Sequence, residues 1–523
     1  MSTVTYRGAV YEVREDETVL DALLRGGADI DFSCRRGSCQ TCLLRATDGT
    51  PGEDAQKSLR PQLVESNHFM PCVCRPDEDL DLAPADMSQL TLGALVARKE
   101  RVSAQVVKLY LEPEVNLEWT PGQYLNIHRD DGEVRSYSIA SIAERDYFIE
   151  LHVKRVEDGE VSGWLHDEVE QGDMLTIQGP LGQCVYDEAF RERDLLMLGT
   201  GTGVSPLWGI ARDALARGHR GTITLYHGAR SMEGLYQHQQ LVELDAEHED
   251  FEYIPCISGE EVPDDAVKGR VTDVAFPEGV YCEGAVLYLC GNPEMVYDAR
   301  CKAVLAGIVR PDILADPFES GEPYMPDDKA KLSEVEVDPE MWEALDEGAG
   351  LREILENFYD RAYEDPRLGP YFHNVTKARA ISKQYEFLSS VFKGDHTFFG
   401  MRPFNAHHWM VISDDLFDYR EAMMEDCVMD YGLPDHLLRR WRAFHELFRR
   451  EIVKAKARGI VEDGVERHKE GFSVERIACG TVCDGCVGEI SPGDRVRMHK
   501  RTGQVFCMDC GADKAVNEVG APA

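Results

Sequence analysis

The chain has 523 residues, too many for one hydrophobic core, and its 43% hydrophobic content is that of globular protein, so about three to five domains are expected. Ninety-five Asp and Glu against 56 Lys and Arg leave a net charge of −39, which excludes nucleic acid or an anionic membrane as a partner bound through the bulk field. No basic-then-apolar leader and no run of about 18 apolar residues is seen, so a cytoplasmic protein is expected, with its sixteen Cys serving as metal ligands, thiols or core residues rather than disulfides.

Residues 1–88 combine short β-type runs, a helix around Val19–Leu24 and a Cys loop. Cys34, Cys39 and Cys42 stand in C-x4-C-x2-C spacing, and Cys72 follows at a loop's distance, with Cys74 as a rival fourth ligand. Thiolates hold iron, and Gly37 and Ser38 give the loop small residues where backbone must approach closely. This segment resembles plant-type ferredoxins. The resemblance implies a β-grasp domain with a two-iron two-sulfur cluster, a one-electron carrier.

Residues 93–190 alternate Val, Ile, Tyr and Leu with Gly and Pro, which predicts an antiparallel β-barrel. Residues 191–318 alternate buried strands (195–198, 223–226, 286–289) with helical stretches, the pattern of an α/β parallel sheet. Their motifs run in order: ProGlyGlnTyr at 121–124, ArgSerTyrSer at 135–138, GlyGluValSer at 159–162, GlyProLeuGly at 179–182, GlyThrGlyThrGly at 199–203 and CysGlyAsnPro at 290–293. That set resembles the ferredoxin–NADP reductase superfamily over residues 93–318.

The resemblance implies that Arg135 neutralises a flavin pyrophosphate, Tyr137 packs on the isoalloxazine and Ser138 hydrogen-bonds near N5. It gives Val161 and Ser162 to the flavin phosphates through backbone amides, at what reads as a helix start. FAD is expected rather than FMN. Gly199, Thr200, Gly201, Thr202 and Gly203 follow a buried strand and precede a helix, where glycines let amides reach a pyrophosphate. The resemblance makes Cys290 the thiol facing the nicotinamide and lets Phe318 cover the flavin. Arg230 and Ser231 could receive the 2′-phosphate of NADPH. Against that, the ferredoxin–flavin–nicotinamide order resembles the reductases of bacterial aromatic-ring and methane oxygenases, which mostly use NADH. The choice leans to NADH.

Residues 319–339 are rich in Pro and charge and read as a linker. From 340 to 465 apolar residues recur at helical spacing. Leu351, Ile354, Leu355, Phe358, Tyr359 and Ala362 share a face, with AspPro at 365–366 ending the helix, and Leu438, Trp441, Phe444, Phe448 and Ile452 form a second stripe. PheTyr at 358–359, GlnTyrGluPheLeu at 384–388, LysGly at 393–394 and AlaHisHisTrpMetValIleSer at 406–413 follow one another in an order that resembles truncated, two-over-two haemoglobins. The resemblance implies haem b, with His407 as proximal ligand and His408 as its rival. It gives Tyr359 and Gln384 to the distal side as hydrogen-bonding groups for bound gas, with Ala380 in place of a bulkier distal residue, and packs Phe358 and Phe372 on the haem. LysGly departs from the family's usual Gly-Gly.

Residues 475–515 hold Cys483, Cys486, Cys507 and Cys510, a C-x2-C-x20-C-x2-C pattern that reads as a small structural zinc site, with Cys479 a spare thiol. The basic ArgValArgMetHisLysArg between the pairs is read as part of this zinc module, not as a nucleic-acid contact.

The whole reads as an NAD(P)H-dependent oxidoreductase. A hydride reaches the flavin, single electrons pass through the cluster, and a haem globin receives them. Flavohaemoglobins pair a reductase and a globin in one chain, so by that resemblance O2 and NO are the expected ligands and nitric oxide dioxygenation the expected reaction. Flavohaemoglobins carry their globin first, of a larger type, and lack the ferredoxin. The alternative is a reductase component serving a separate redox partner protein, with the globin as a gas sensor or regulatory module.

Overall fold

The computed structural model describes the chain except residues 1, 14–16, 29, 31–39, 41, 58, 60, 86–89, 260, 319–336, 373–374, 396–400, 411, 455–457, 463–464, 468–471, 478–479, 500–503 and 511–523. Cys34, Cys39, Cys479 and most of the expected linker therefore lie outside the described residues. The chain divides into two compact units. One comprises 1–42, 70–79 and 323–523, and the other 43–69 and 80–322.

In the first unit, β1 (Ser2–Tyr6) and β2 (Ala9–Val13) form an antiparallel hairpin. Its two-residue turn, Arg7–Gly8, has positive φ at both positions, which matches the twist of the flanking strands. The expected helix follows as Val19–Arg25. Thr18 caps it by accepting from the Asp21 N–H, and Val19, Leu20, Ala22 and Leu23 face inward. Its first two N–H groups donate to the carbonyls of Cys74 and Pro71 (2.9 and 3.0 Å), tying the helix start to the segment that carries Cys72.

The 340–465 region of the same unit is helical, the main helices being Ala349–Glu364, Lys377–Lys393, Asp414–Tyr431 and Asp435–Glu446. A preceding short helix begins at Pro339, capped by Asp338, so helix starts within the last residues of the expected linker. The first stripe read from the sequence is buried in full, and its helix ends at Glu364, before Asp365–Pro366. The second stripe crosses two helices, because the chain breaks at Leu447–Phe448 and resumes as Arg449–Ile452. Trp441, Phe444 and Phe448 remain in one core with Phe392 and Leu355. Gly394 ends Lys377–Lys393 in the left-handed region (φ +66°) and donates to the carbonyls of Ser390 and Val391, so the LysGly pair supplies a helix stop.

The tail folds as a three-stranded antiparallel sheet, with Arg495–His499 between Phe472–Arg476 and Val505–Cys507. A two-stranded ladder, Thr481–Val482 with Glu489–Ile490, accompanies it. Among the described residues its core is small: Cys483, Ile490, Val496, Val505 and Phe506.

In the second unit, β3 (Leu44–Asp48) pairs antiparallel with β4 (His68–Phe69) and β5 (Leu80–Pro84). The next six strands are β6 (Thr91–Arg101), β7 (Val106–Pro113), β8 (Tyr124–His128), β9 (Val134–Ser138), β10 (Ile149–Lys154) and β11 (Met174–Leu181). They form an antiparallel sheet in the order β10-β7-β6-β11-β8-β9. A bridge from Ile139, just past β9, to Leu151 on β10 brings the two edges together and closes the barrel. Alternating residues such as Leu109, Leu111, Leu125, Ile127, Leu151 and Val153 fill its interior.

The parallel sheet follows with β12 (Leu195–Thr200), β13 (Ile223–Ala229), β14 (Phe251–Ile257), β15 (Val267–Lys268), β16 (Val286–Gly291) and β17 (Ile313–Pro317). Its order is β15-β14-β13-β12-β16-β17. The chain winds outward from β12 to β15, then returns to lay β16 on the other side of β12. The switch point, where such sheets open a crevice for ligands, lies between β12 and β16.

Candidate functional site

At that switch point three sequence motifs meet. The parallel register places Gly199 of β12 beside Cys290 of β16, and Cys290 beside Asp316 of β17. Gly203 packs so tightly on β16 that a Cβ there would lie 2.1 Å from the Cys290 carbonyl oxygen. The Thr200 hydroxyl accepts from the Asn292 N–H (3.1 Å), and the Asn292 side chain caps helix Pro293–Leu305. Gly201 is different: its φ is +55°, and an added Cβ would meet only Lys154 Nζ, at 4.0 Å. The loop is closed against the sheet at Gly203 and open at Gly201 beside a cation. That shape fits a dinucleotide pyrophosphate.

Behind the loop runs a buried polar chain. Lys108 pairs with Glu150 (3.0 Å), Glu150 with His152 Nε2 (2.7 Å), and His152 Nδ1 with the Tyr236 hydroxyl (2.7 Å). His227 Nε2 donates to the Gly201 carbonyl (3.2 Å). Burial lowers the pKa of both imidazoles, His227 to about 4, so this chain holds them neutral.

The Ser138 hydroxyl donates to Asp316 Oδ2 at 3.0 Å. Burial pushes the Asp316 carboxyl up to about 6 against the pull of that hydroxyl. Cys290 is fully buried, and burial, then the Cys184 thiol and Asp316, push its thiol well up. Ser138 and half-buried Asp316 are thus hydrogen-bonded beside the buried Cys290, the strand neighbour of Asp316. Phe318, half-buried, hangs from the Gly291 carbonyl by its own N–H (2.8 Å). Tyr137 is half-buried, and burial raises its phenol. Arg135 is exposed and pairs with Glu133 (3.0 Å). Val161 and Ser162 lie in the first turn of helix Glu160–Asp167, where amides lack intrahelical partners, and the Ser162 hydroxyl accepts from the Val156 N–H. Arg230 and Ser231 are exposed just past β13.

Two residues here were not singled out from the sequence. Asp316 stands two residues before Phe318, and an acid at that offset from the aromatic is the one signal that could have found it. Lys154 closes a β-strand and is brought to Gly201 only by tertiary structure.

Of the cluster ligands, Cys42 and Cys72 are described and both are buried. Cys74 is 1% exposed, and burial, then Asp77, pushes its thiol up to about 12.

In the helical region, the Tyr359 hydroxyl donates to Gln384 Oε1 at 2.7 Å. Around it Phe358 (centroids 5.0 Å) and Phe372 (5.6 Å) pack edge-on. Burial raises the Tyr359 phenol to about 12, so it stays a donor. Ala380, one turn before Gln384, is buried. His407 Nδ1 donates to the Pro403 carbonyl (2.8 Å), which leaves Nε2 as the lone-pair nitrogen. Burial lowers its pKa to about 4, helped by Lys454, Arg420 and Arg458. His408 makes the corresponding bond to Asn405 (2.7 Å), so hydrogen bonding alone does not separate the two. Arg420 stands beside the aromatic group. Its guanidinium lies 4.7 Å from the Phe358 ring centroid and acts electrostatically on both Tyr359 and His407. A half-buried imidazole with a fixed tautomer and a lowered pKa, in the same domain as an aromatic cluster that holds one polar pair, fits haem.

The four tail thiols have Sγ atoms all within 4.8 Å of one another. Cys483 Sγ accepts from the N–H groups of Cys507 (3.2 Å) and Gly485 (3.3 Å). Burial would raise that thiol, but these donors with Cys486 outweigh it and lower it to about 7. Cys510, hydrogen-bonded by Cys486 and Cys507, is pushed up to about 12. A tetrahedral four-thiolate site with zinc–sulfur bonds near about 2.3 Å fits this spacing.

Four family models match in chain order: a 2Fe-2S iron-sulfur cluster binding domain at 2–77, an oxidoreductase FAD-binding domain at 94–186, an oxidoreductase NAD-binding domain at 197–301 and a bacterial-like globin at 340–451. The reductase subunit of an Amycolatopsis aromatic O-demethylase is 34% identical over 313 residues, which span 57% of this chain and 93% of that protein. The chain belongs to that family of iron–sulfur flavoprotein reductases. Reductase component 2 of a Comamonas terephthalate 1,2-dioxygenase is 32% identical over 320 residues (58% and 93%). A solved ferredoxin reductase of carbazole 1,9a-dioxygenase aligns with a TM-score of 0.41 and 23% identity, over 61% of this chain and 98% of its own. With its four matched domains, this reductase is an NAD(P)H-dependent oxidoreductase with FAD and a 2Fe-2S cluster, joined to a globin domain for haem. No helix among its described residues is long and apolar enough to cross a membrane.

Proposed function

We propose that the electrons this reductase draws from NAD(P)H serve its own globin, and that the globin's reaction is nitric oxide dioxygenation. The observation that carries this is the Tyr359–Gln384 pair, a 2.7 Å hydrogen bond set among buried aromatics. A reductase component needs no gas pocket, whereas a pocket that must hold a polar diatomic benefits from one fixed donor in apolar surroundings. The reaction combines one nitric oxide, one dioxygen and one electron into nitrate, and a hydride carries two electrons.

When bound, flavin accepts hydride, the cluster carries single electrons and haem iron binds gas. The residues have the following roles in this reading. Gly199, Thr200, Gly201, Thr202 and Gly203 seat the dinucleotide, with Lys154 beside the open edge. Cys290 lies under the nicotinamide, Phe318 covers the flavin, and Arg135, Tyr137, Val161 and Ser162 hold it. Ser138 and Asp316 hold or move a proton at the flavin's reacting edge. Arg230 meets the adenosine end. Cys34, Cys39, Cys42 and Cys72 hold the cluster, with Cys72 taken over Cys74 on the family's ligand spacing. His407 would hold the haem through Nε2. Tyr359 and Gln384 would orient the gas, and Phe358 and Phe372 would pack on the haem. Cys483, Cys486, Cys507 and Cys510 hold zinc.

A second reading follows from the family match, whose relatives are reductase components of oxygenases. There the electrons leave for another protein. One experiment separates the two. NADH is added anaerobically to the haem-loaded protein under carbon monoxide while the Soret band is followed. Rapid formation of the ferrous–CO spectrum supports the first reading. Bleached flavin and cluster beside an unchanged ferric haem band supports the second.

A further inference from the structure

The tail's Asp484 reaches into the globin. It lies between Cys483 and Cys486, and its side chain is 0% exposed. Oδ1 accepts from both the N–H and the hydroxyl of Thr376 (3.3 Å each). Oδ2 pairs with Arg379 Nε (2.9 Å) and accepts from the Val505 N–H (2.7 Å). Arg379 also reaches the tail's Thr481 hydroxyl (3.2 Å).

Thr376 and Arg379 begin helix Lys377–Lys393, which carries Ala380 and Gln384. This N-terminus is poorly provided for by its own sequence. The Thr376 hydroxyl caps no N–H of the helix, and the first turn holds no acidic residue. Lys377 and Arg379 stand there instead, both the wrong sign for the helix dipole. Asp484 supplies the missing anion, so the helix bearing Gln384 is capped from outside.

Asp484 is in turn held by the thiol cluster. Cys483 and Cys486 flank it, and Val505 precedes Cys507 by two residues. The tail's small cluster of buried residues is too slight to form a stable core, and small four-thiolate modules take their folding free energy from the metal. We propose that zinc at Cys483, Cys486, Cys507 and Cys510 fixes Asp484 as the cap of helix Lys377–Lys393 and thereby sets the position of Gln384 against Tyr359. Asp484 is then a positioning residue for the gas pocket, and metal occupancy tunes that pocket. The inference rests on the globin reading only for its effect on bound gas. The capping itself does not need haem.

The test uses the full chain, loaded with haem and reduced under carbon monoxide. Zinc is removed with a chelator and its release counted, and Asp484→Asn is prepared with zinc retained. Amide hydrogen exchange is followed in residues 376–388, with the Asp414–Tyr431 helix as reference, and the C–O stretching band is recorded. Chelation and Asp484→Asn should each speed exchange at 376–388 about fivefold or more, the size of a lost cap, while the reference helix holds. Both should shift or broaden the C–O band. Unchanged exchange at 376–388 after counted zinc release, or in the zinc-bound variant, overturns the proposal, as does purified protein that binds no metal at the four thiols. An altered exchange with no haem bound at all would instead count against the globin reading and leave the capping intact.

Discussion

Ser138 and Asp316, separated by 178 positions, share a 3.0 Å hydrogen bond in which the serine hydroxyl is the donor. The bond joins the end of the barrel's β9 to the last strand of the parallel sheet, two segments far apart in the chain. Burial holds Asp316 near 6, within reach of neutral pH.

Asp316→Asn should remove a titration from flavin turnover. In the native protein, reoxidation of the reduced flavin should rise as pH climbs through about 6, because only the carboxylate can accept a proton. In the variant the profile should be flat and the rate lower by about a hundredfold, a usual size for a lost acid–base group. Stopped-flow flavin absorbance over the range about pH 5 to 8 checks this. A variant with the native profile would rule Asp316 out as the proton acceptor.

Gly203→Ala tests the closed side of the nucleotide loop. Gly203 has ordinary helical angles (φ −61°), so the penalty is steric, from a Cβ 2.1 Å from the Cys290 oxygen. Overpacking of about 1–3 kcal/mol is expected, with weakened NADH binding. Gly201→Ala meets open space but must hold φ +55°, so it should cost about 1–2 kcal/mol of backbone strain without any steric clash, besides weakening nucleotide affinity. Thermal melting with coenzyme titration distinguishes the two.

Tyr359→Phe deletes the donor of the distal pair and keeps the ring. Gln384, whose amide N–H groups are the donors left for a gas, then loses the partner that fixes it, and oxygen should leave the ferrous globin up to about tenfold faster, the worth of one hydrogen bond. Flash photolysis measures this directly. Carbon monoxide, a poorer acceptor, should be much less affected.

The flavin–nicotinamide region should lose stability as pH falls from about 6.5. His152 and His227 are held neutral by burial, His227 down to about 4, whereas the unfolded chain takes up protons near 6.5. Their contribution is full above about 6.5 and lost as pH drops through the folded pKa. Asp316 acts the other way, since its raised pKa favours the folded state as pH falls from about 6 towards 3.8. Two histidines outweigh one carboxyl over this range, so net destabilisation is expected. His227→Gln should flatten the dependence. Urea melts between about pH 5 and 7.5 provide the measurement.

Local chemistry was legible from the chain itself. Thiol spacing marked the cluster loop and the tail, a helical period of about 3.6 residues drew the buried face of Ala349–Glu364, and runs such as LeuLeuMetLeu marked the strands of the parallel sheet. These signals survive because each depends on neighbours within a few residues. What spacing could not supply was adjacency between distant segments. Strand order alone put Gly199, Cys290 and Asp316 side by side, packing of β10 against the nucleotide loop brought Lys154 to Gly201, and the tail's fold carried Asp484 to a helix more than a hundred residues earlier. At Asp484 the contact stands where a buried charge must be paired. The sequence declares which groups need partners, and only tertiary packing, by removing them from water, decides who the partners are.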